Sequence, residues 1–260
     1  LLTDFFLKGQ AMRIKSIFCF LTLAAFIAAQ NNEKLNVYGS LGFGFPTGGK
    51  LFSSIKTNNV PGGIDTIEEK DSYFNFGRGL KLDLGVQYFL MPNIALHTGI
   101  GISGNIPRLK TFQENSVQKI NTTYRSSLWG LKALIVPHFE VLELLNVYTG
   151  VGIGFFWNSW KYEQKIVTGT DALSNTITVD GKIKTSPKLG FLGLAGADFP
   201  FSDLLTLYGE LAFEQLSFTS KKEVRGNNTV VYEKNSNLPA PERIPGSNWQ
   251  LRFGVKMSVL

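Results

Sequence analysis

The side chains with the widest chemical reach are scarce in this chain. Histidine occurs twice, at His97 and His138, and cysteine once, at Cys19. A histidine works as a general base only when a carboxylate orients it and a nucleophile lies within hydrogen-bond reach. Neither His97 nor His138 has an evident partner of that kind, so both read as structural residues. Two histidines without a thiolate also argue against a transition-metal centre. Gly99-Ile100-Gly101-Ile102-Ser103-Gly104 matches the dinucleotide fingerprint letter for letter. That fingerprint needs a helix opening after its strand to hold the pyrophosphate. Here it runs into Asn105-Ile106-Pro107, and its glycines read as spacers within a strand. Asp65, Glu68, Glu69 and Asp71 form an acidic group without the ligand spacing of an EF-hand. The sequence therefore implies no catalytic set, no cofactor and no metal.

A different chemistry is suggested by Lys81, Asp83, Lys132, Glu210, Glu214, Arg252 and Lys256, which punctuate otherwise apolar segments. Charges enclosed in a narrow space are tolerable only in pairs. The pattern predicts an internal ion-pair network, with Asp83, Glu210 and Glu214 facing Lys81, Lys132, Arg252 and Lys256.

The elements that carry these charges are strands. Trp249, Leu251, Phe253, Val255, Met257 and Val259 alternate without a break against Asn248, Gln250, Arg252, Gly254, Lys256 and Ser258. Period-two alternation puts one set on each face of a strand. The same pattern recurs in Leu35 to Phe45, Leu80 to Tyr88, Ile94 to Ser103, Val147 to Trp157 and Leu205 to Glu214. It is weaker near 125–139, where Leu134 and Val136 compete with Leu131 and Ile135, and near 187–199, where Leu192 and Leu194 compete with Leu189, Phe191 and Phe199. The total is eight segments, each with the nine to eleven residues that a tilted strand needs to cross a bilayer.

The connections alternate as well. Met91-Pro92-Asn93, Glu140 to Asn146 and Pro200 to Asp203 are short, whereas 46–72, 105–124, 164–186 and 219–246 are long, polar loops. The short turns and both ends of the chain fall at one rim, and the long loops at the other. The N-terminal region differs in kind. Met12, Arg13 and Lys15 precede an apolar run from Ile17 to Ile27, followed by Ala28-Ala29-Gln30, which reads as a signal peptide over residues 12–29. Residues 1–11 read as an upstream extension, and residues 30–260 as the folded domain. Cys19 would leave with the leader, and Ser16-Ile17-Phe18 is a poor match to a lipoprotein box. Without residues 1–29 the net charge falls from +6 to +4, too mild and dispersed for a nucleic-acid binder.

With these residues in view, the chain resembles the small outer-membrane β-barrel proteins of the OmpA/OmpX-like class of Gram-negative bacteria, over residues 35–260. The resemblance implies an all-β fold, an eight-stranded antiparallel up-and-down transmembrane β-barrel, with the long loops outside the cell. It implies that β-barrel insertion machinery reads the C-terminal strand, although Leu260 stands where such barrels favour Phe. Aromatic belts at the two membrane interfaces are expected at Phe45, Phe76, Trp129, Trp157 and Trp249 on the outer side, and at Tyr88, Phe139 and Phe199 on the inner. Eight strands leave an interior about filled by side chains. The expected role is a non-enzymatic, monomeric structural or surface-interaction protein. Its basic loop residues, among them Arg108, Lys110, Lys119 and Arg125, would meet outer-membrane lipid and lipopolysaccharide. A barrel enzyme acting on lipid or peptide, a narrow channel and a soluble lipocalin-like binder are the alternatives.

Overall fold

Branched and aromatic residues alternating with glycine and polar ones suit a pleated strand with one apolar face. The described residues form strands, turns and bends, with no helix. The computed structural model describes residues 35–60, 63–104, 108–115, 117–142, 144–169, 175–232 and 243–259, with the backbone alone for 58–60 and 63–68. The expected signal peptide at 12–29, the extension at 1–11 and Leu260 lie outside the described residues.

In chain order the strands begin with β1 (Leu35–Pro46), β2 (Lys50–Val60), β3 (Gly63–Phe74), β4 (Gly79–Met91) and β5 (Ile94–Gly104). Next come β6 (Leu109–Glu114), β7 (Gln118–Leu142), β8 (Leu145–Thr168), β9 (Asn175–Thr185) and β10 (Lys188–Pro200). The series ends with β11 (Leu205–Gln215), β12 (Ser217–Arg225), β13 (Asn228–Val231), β14 (Arg243–Pro245) and β15 (Asn248–Ser258).

Eight of them form a ring. Strand β1 pairs with β4, β4 with β5, β5 with β7 and β7 with β8. Strand β8 continues to β10, β10 to β11, β11 to β15, and β15 returns to β1. Every pairing is antiparallel, so the chain closes an eight-stranded up-and-down barrel. The seam runs from Asn36 opposite Ser258 to Pro46 opposite Asn248.

Register settles the two segments whose faces were ambiguous. On β7, Leu134 and Val136 turn inward and are buried, while Ile135 is exposed outside. On β10, Leu192 and Leu194 line the interior and Leu189, Phe191 and Phe199 face out. Both strands carry apolar residues on both faces, because one wall of the interior is itself apolar.

The long connections depart from the expectation of polar loops. They fold into β2, β3, β6, β9, β12, β13 and β14, and β7 and β8 run on as a hairpin of 25 and 24 residues. At about 3.3 Å per residue, 25 residues reach roughly 80 Å, well beyond a hydrocarbon core of about 30 Å. Around this hairpin the barrel sheet extends in the order β13-β12-β9-β8-β7-β6-β2-β3, with β14 paired to β12, as a crown standing on the barrel. Its one parallel contact joins β2 to β6 at Ile55–Gln113 and Lys56–Glu114. Segments such as Thr176-Ile177-Thr178-Val179 have strand-forming residues despite their polarity, which an emphasis on apolar alternation overlooks.

The crown curls over an aromatic core at its junction with the barrel. Phe74 stacks on Trp160 with ring centres 4.8 Å apart, Phe76 meets Phe74 edge-on at 5.1 Å, and Phe218 meets Phe76 at 5.2 Å. All four are buried, with Ile244 beside them in the same core. Phe76 is thus no part of a membrane-interface belt. It lies in the turn before β4, where its N–H donates to the Pro245 carbonyl at 3.1 Å, and it points inward over the barrel mouth.

Candidate functional site

The interior of the barrel gathers the charged residues of the chain's strands. At its centre Glu210 and Arg252 stand directly opposite across β11 and β15 and form an ion pair. Arg252 also reaches Asp83 at 3.1 Å. Asp83 lies 2.5 Å from Lys132, which reaches Glu214 at 2.8 Å, and Glu214 in turn lies 3.6 Å from Lys81. Asn248 donates to Glu214 at 3.2 Å. Six of the seven charges named from sequence therefore form one connected, buried network contributed by β4, β7, β11 and β15. Such pairing is what makes enclosed charge tolerable.

The seventh, Lys256, goes elsewhere. Its ammonium lies 2.7 Å from Asp198 on β10, a carboxylate that the expected network lacked. It also sits over the rings of Tyr148 and Tyr208, 4.3 and 5.0 Å from their centres. Asp198 was hidden in the ambiguous segment near 187–199, and the inward parity of Leu192 and Leu194 was the signal that could have found it.

Both histidines belong to this lower interior. His138 accepts at Nε2 from the Gln87 side-chain amide N–H at 2.9 Å, and its Nδ1 is 3.8 Å from Asp198. His97 is buried against Tyr38 and His138, with ring centres 5.6 and 6.0 Å away. His138 is held in the interior and not at a frayed strand end, because β7 stays paired with β8 as far as Leu142. No serine donates to either imidazole among the described residues.

The glycines of the fingerprint-like stretch make room for this interior. A Cβ on Gly101 would come within 2.7 Å of both Lys132 and Asp83, and one on Gly99 within 2.8 Å of the Tyr38 hydroxyl. What space remains is small. A cavity of about 20 Å³, counted as room for the centre of a water, lies among Tyr38, His97, Glu210 and Lys256. That holds about one water, and a second cavity of about 10 Å³ lies among Lys81, Asp83, Lys132 and Glu214.

Outside, the pattern reverses. Leu41 is 68 % exposed, Val151 70 %, Phe191 67 % and Phe253 62 %, and each of the eight ring strands turns apolar residues outward. A closed ring with charge inside and a largely apolar exterior satisfies its backbone between strands and needs lipid around it. The chain is an outer-membrane β-barrel. Phe45 and Trp249 lie opposite each other across the seam near its crown end, with Trp129 opposite Trp157 across β7 and β8. Phe45, Trp129 and Trp249 are exposed, and Trp157 is half-exposed. Tyr88, half-exposed, and Phe139 and Phe199, both exposed, lie toward the opposite rim.

No protein-family model matches this sequence, and no curated protein matches it. Among solved structures, the barrel is similar to the outer membrane protein OprG from Pseudomonas aeruginosa, at 7% identity over 87% of this chain and 95% of that one, with a TM-score of 0.49. It is also similar to Neisserial surface protein A, at 8% identity over 86% and 96% with a TM-score of 0.41. A third similar structure is the outer membrane protease OmpT from Escherichia coli, at 13% identity over 86% and 96% with a TM-score of 0.27. Such distant likenesses say nothing of role, and the assignment of this barrel rests on its pairing and its exterior.

In the crown the ionisable groups are mostly solvated. Glu114 accepts Lys119 at 3.0 Å and Lys56 at 3.6 Å, and the bond from Lys119 holds its carboxyl below the usual range. Tyr162 and Tyr232 both donate to Glu223, and burial together with that bond pushes the Tyr162 hydroxyl up. In the first long connection Asp71 accepts from the Ser53 hydroxyl at 2.7 Å, which ties it to the neighbouring strand. The side chains of Asp65 and Glu68 lie outside the described residues.

Proposed function

We propose that this protein is a non-enzymatic surface protein of the outer membrane, in which a filled barrel anchors an extracellular crown that makes the contacts. The observation that carries this reading is the filling of the lumen. Its paired charges surround small cavities of about 20 and 10 Å³, each with room for about one water, and the aromatic core of Phe74, Phe76, Trp160 and Phe218 lies over the mouth. A sealed interior supports neither a conducting path nor access to His97 and His138. The chain instead invests its length above the membrane, where the crown presents a broad polar surface to lipopolysaccharide or to another cell. In this reading the alternating face of β15 is what insertion machinery recognises, and the protein works as a monomer.

The test has two arms. Purified protein reconstituted in a planar bilayer is expected to give no steady conductance, and discrete channel openings would refute the sealed lumen. Intact cells treated with protease are expected to lose the crown while an unheated, fast-migrating barrel remains on gels. Recovery as a soluble periplasmic monomer would overturn the reading altogether.

A further inference from the structure

Strands β2 and β6 pair at Ile55–Gln113 and Lys56–Glu114, and just below the ladder the Phe112 N–H donates to the Ser54 hydroxyl oxygen at 3.1 Å. A cleft of about 550 Å³ opens there, between the lower end of β3 and the start of β6. That volume falls within the range of small-molecule sites, about 300–1,000 Å³. Four cations line it, Lys70, Arg78, Arg108 and Lys110, against a single carboxylate, Asp71, which is already bonded to Ser53. None of the four has an ion-pair partner among the described residues. Lys56, Lys119 and Arg125, elsewhere on the crown, each have a carboxylate within 4 Å.

The position of the cleft narrows what would fill it. Arg78 stands two residues before Leu80, the uppermost outward apolar residue of β4, which is exposed to lipid. Arg108 follows β5 just above the same rim. The cations therefore sit at the upper edge of the apolar band, where headgroups of the outer leaflet begin. Tyr73, 61 % exposed, adds a ring face on the same wall. Guanidinium forks match phosphate oxygens in pairs, and an exposed tyrosine ring packs against the apolar face of a sugar.

We propose that this cleft binds the phosphate-bearing sugar headgroup of an outer-leaflet glycolipid, whose acyl chains lie along the apolar wall beside Leu80. The assignment rests on the outward orientation of the crown in the reading above. Arg108 and Lys110 hold phosphate from the β6 side, and Arg78 and Lys70 from the β3–β4 side.

The full-length mature protein, folded in detergent micelles, is titrated with three probes. These are a glucosamine-disaccharide glycolipid bearing two phosphates, the same glycolipid without phosphates, and the acyl-free bisphosphorylated disaccharide. The phosphorylated glycolipid is expected to bind R108E/K110E about tenfold or more weakly than wild type, since two charge-assisted contacts are reversed. K161E/K165E, with the same change in net charge on β8, is expected to stay within about twofold, as diffuse surface charge contributes little. R108Q/K110Q carries the same prediction with a smaller loss should charge reversal impair folding. Equal weakening in both charge-reversed variants would overturn the cleft in favour of diffuse attraction. Tight binding of the phosphate-free glycolipid would overturn the role of the cations, and equal affinity for the acyl-free sugar would overturn a membrane source. Heat-modifiable mobility on the same samples separates these results from failure of the barrel reading, which would show as absence of the compact form.

Discussion

Replacing Glu214 by Gln should cost more stability than replacing its partner Lys81 by Met, and the difference follows from how the carboxylates are shared. Glu214 serves both Lys132 at 2.8 Å and Lys81 at 3.6 Å. Lys132 keeps a second carboxylate, Asp83, at 2.5 Å, whereas Lys81 has no other within ion-pair distance among the described residues. In E214Q the Lys81 ammonium is left enclosed without a counter-charge, a situation that costs about 3–5 kcal/mol. In K81M the ammonium goes and Glu214 keeps Lys132, so the loss is that of one charged contact, about 1.5–3 kcal/mol and at the lower end for a separation of 3.6 Å. The double variant E214Q/K81M no longer strands a charge and should be more stable than E214Q alone, with a coupling of about 2 kcal/mol. Urea unfolding of the barrel in lipid vesicles, followed by tryptophan fluorescence and checked for reversibility, gives all four corners of the cycle. If K81M costs as much as E214Q, or if the two losses simply add, the sharing of carboxylates described above is wrong.

Four further outcomes can be checked. Gly85→Ala places a methyl 2.2 Å from the Thr98 carbonyl oxygen and 2.6 Å from the Tyr38 ring, and should lose about 1–3 kcal/mol. Gly193→Ala meets nothing within 4 Å and should change unfolding by no more than about 0.5 kcal/mol. Phe253→Arg, midway along β15 on the lipid side, should cost about 2–4 kcal/mol in vesicles, and a neutral result would place that face out of the membrane. Tyr162 holds its proton more tightly when folded than unfolded, through burial first and then its bond to Glu223. Its contribution is therefore complete below about pH 10 and lost as pH rises through the folded value. An absorbance titration should show one fewer late tyrosinate transition in Y162F than in the wild type.

The barrel was legible because its strands obey one rule. Lipid outside and charge inside leave each ring strand a period of two, and β1, β4, β5, β11 and β15 carry it almost unbroken. Where β7 and β10 line an apolar patch of the interior, Leu134 and Leu192 mask the period, and Asp198 was lost with it. The crown was harder to read because water on its outer face lets polar and β-branched residues share a strand, as in Thr176 to Val179. Phe76 misled for a related reason. An aromatic near a strand end has the composition of an interface belt, and only the turn at residues 75–78 aims it inward. The basic cleft was half visible in Arg108 and Lys110. Lys70 and Arg78 join them only through the meeting of β3, β4 and β6, segments far apart in sequence.

The seam between β1 and β15 also dictates an order of assembly. Asn36 near the start of the folded chain must find Ser258 near its end before the ring exists, the kind of long-range pairing that makes folding slow. Arg252 arrives on that last strand and is the only cation paired with Glu210 among the described residues. Until β15 is delivered, Glu210 faces an open edge and Asp83 has Lys132 alone. A chain truncated before β15 thus has an uncompensated acid on an unpaired strand, unfit for lipid. Delivery of β15 and entry into the membrane are coupled by the same guanidinium.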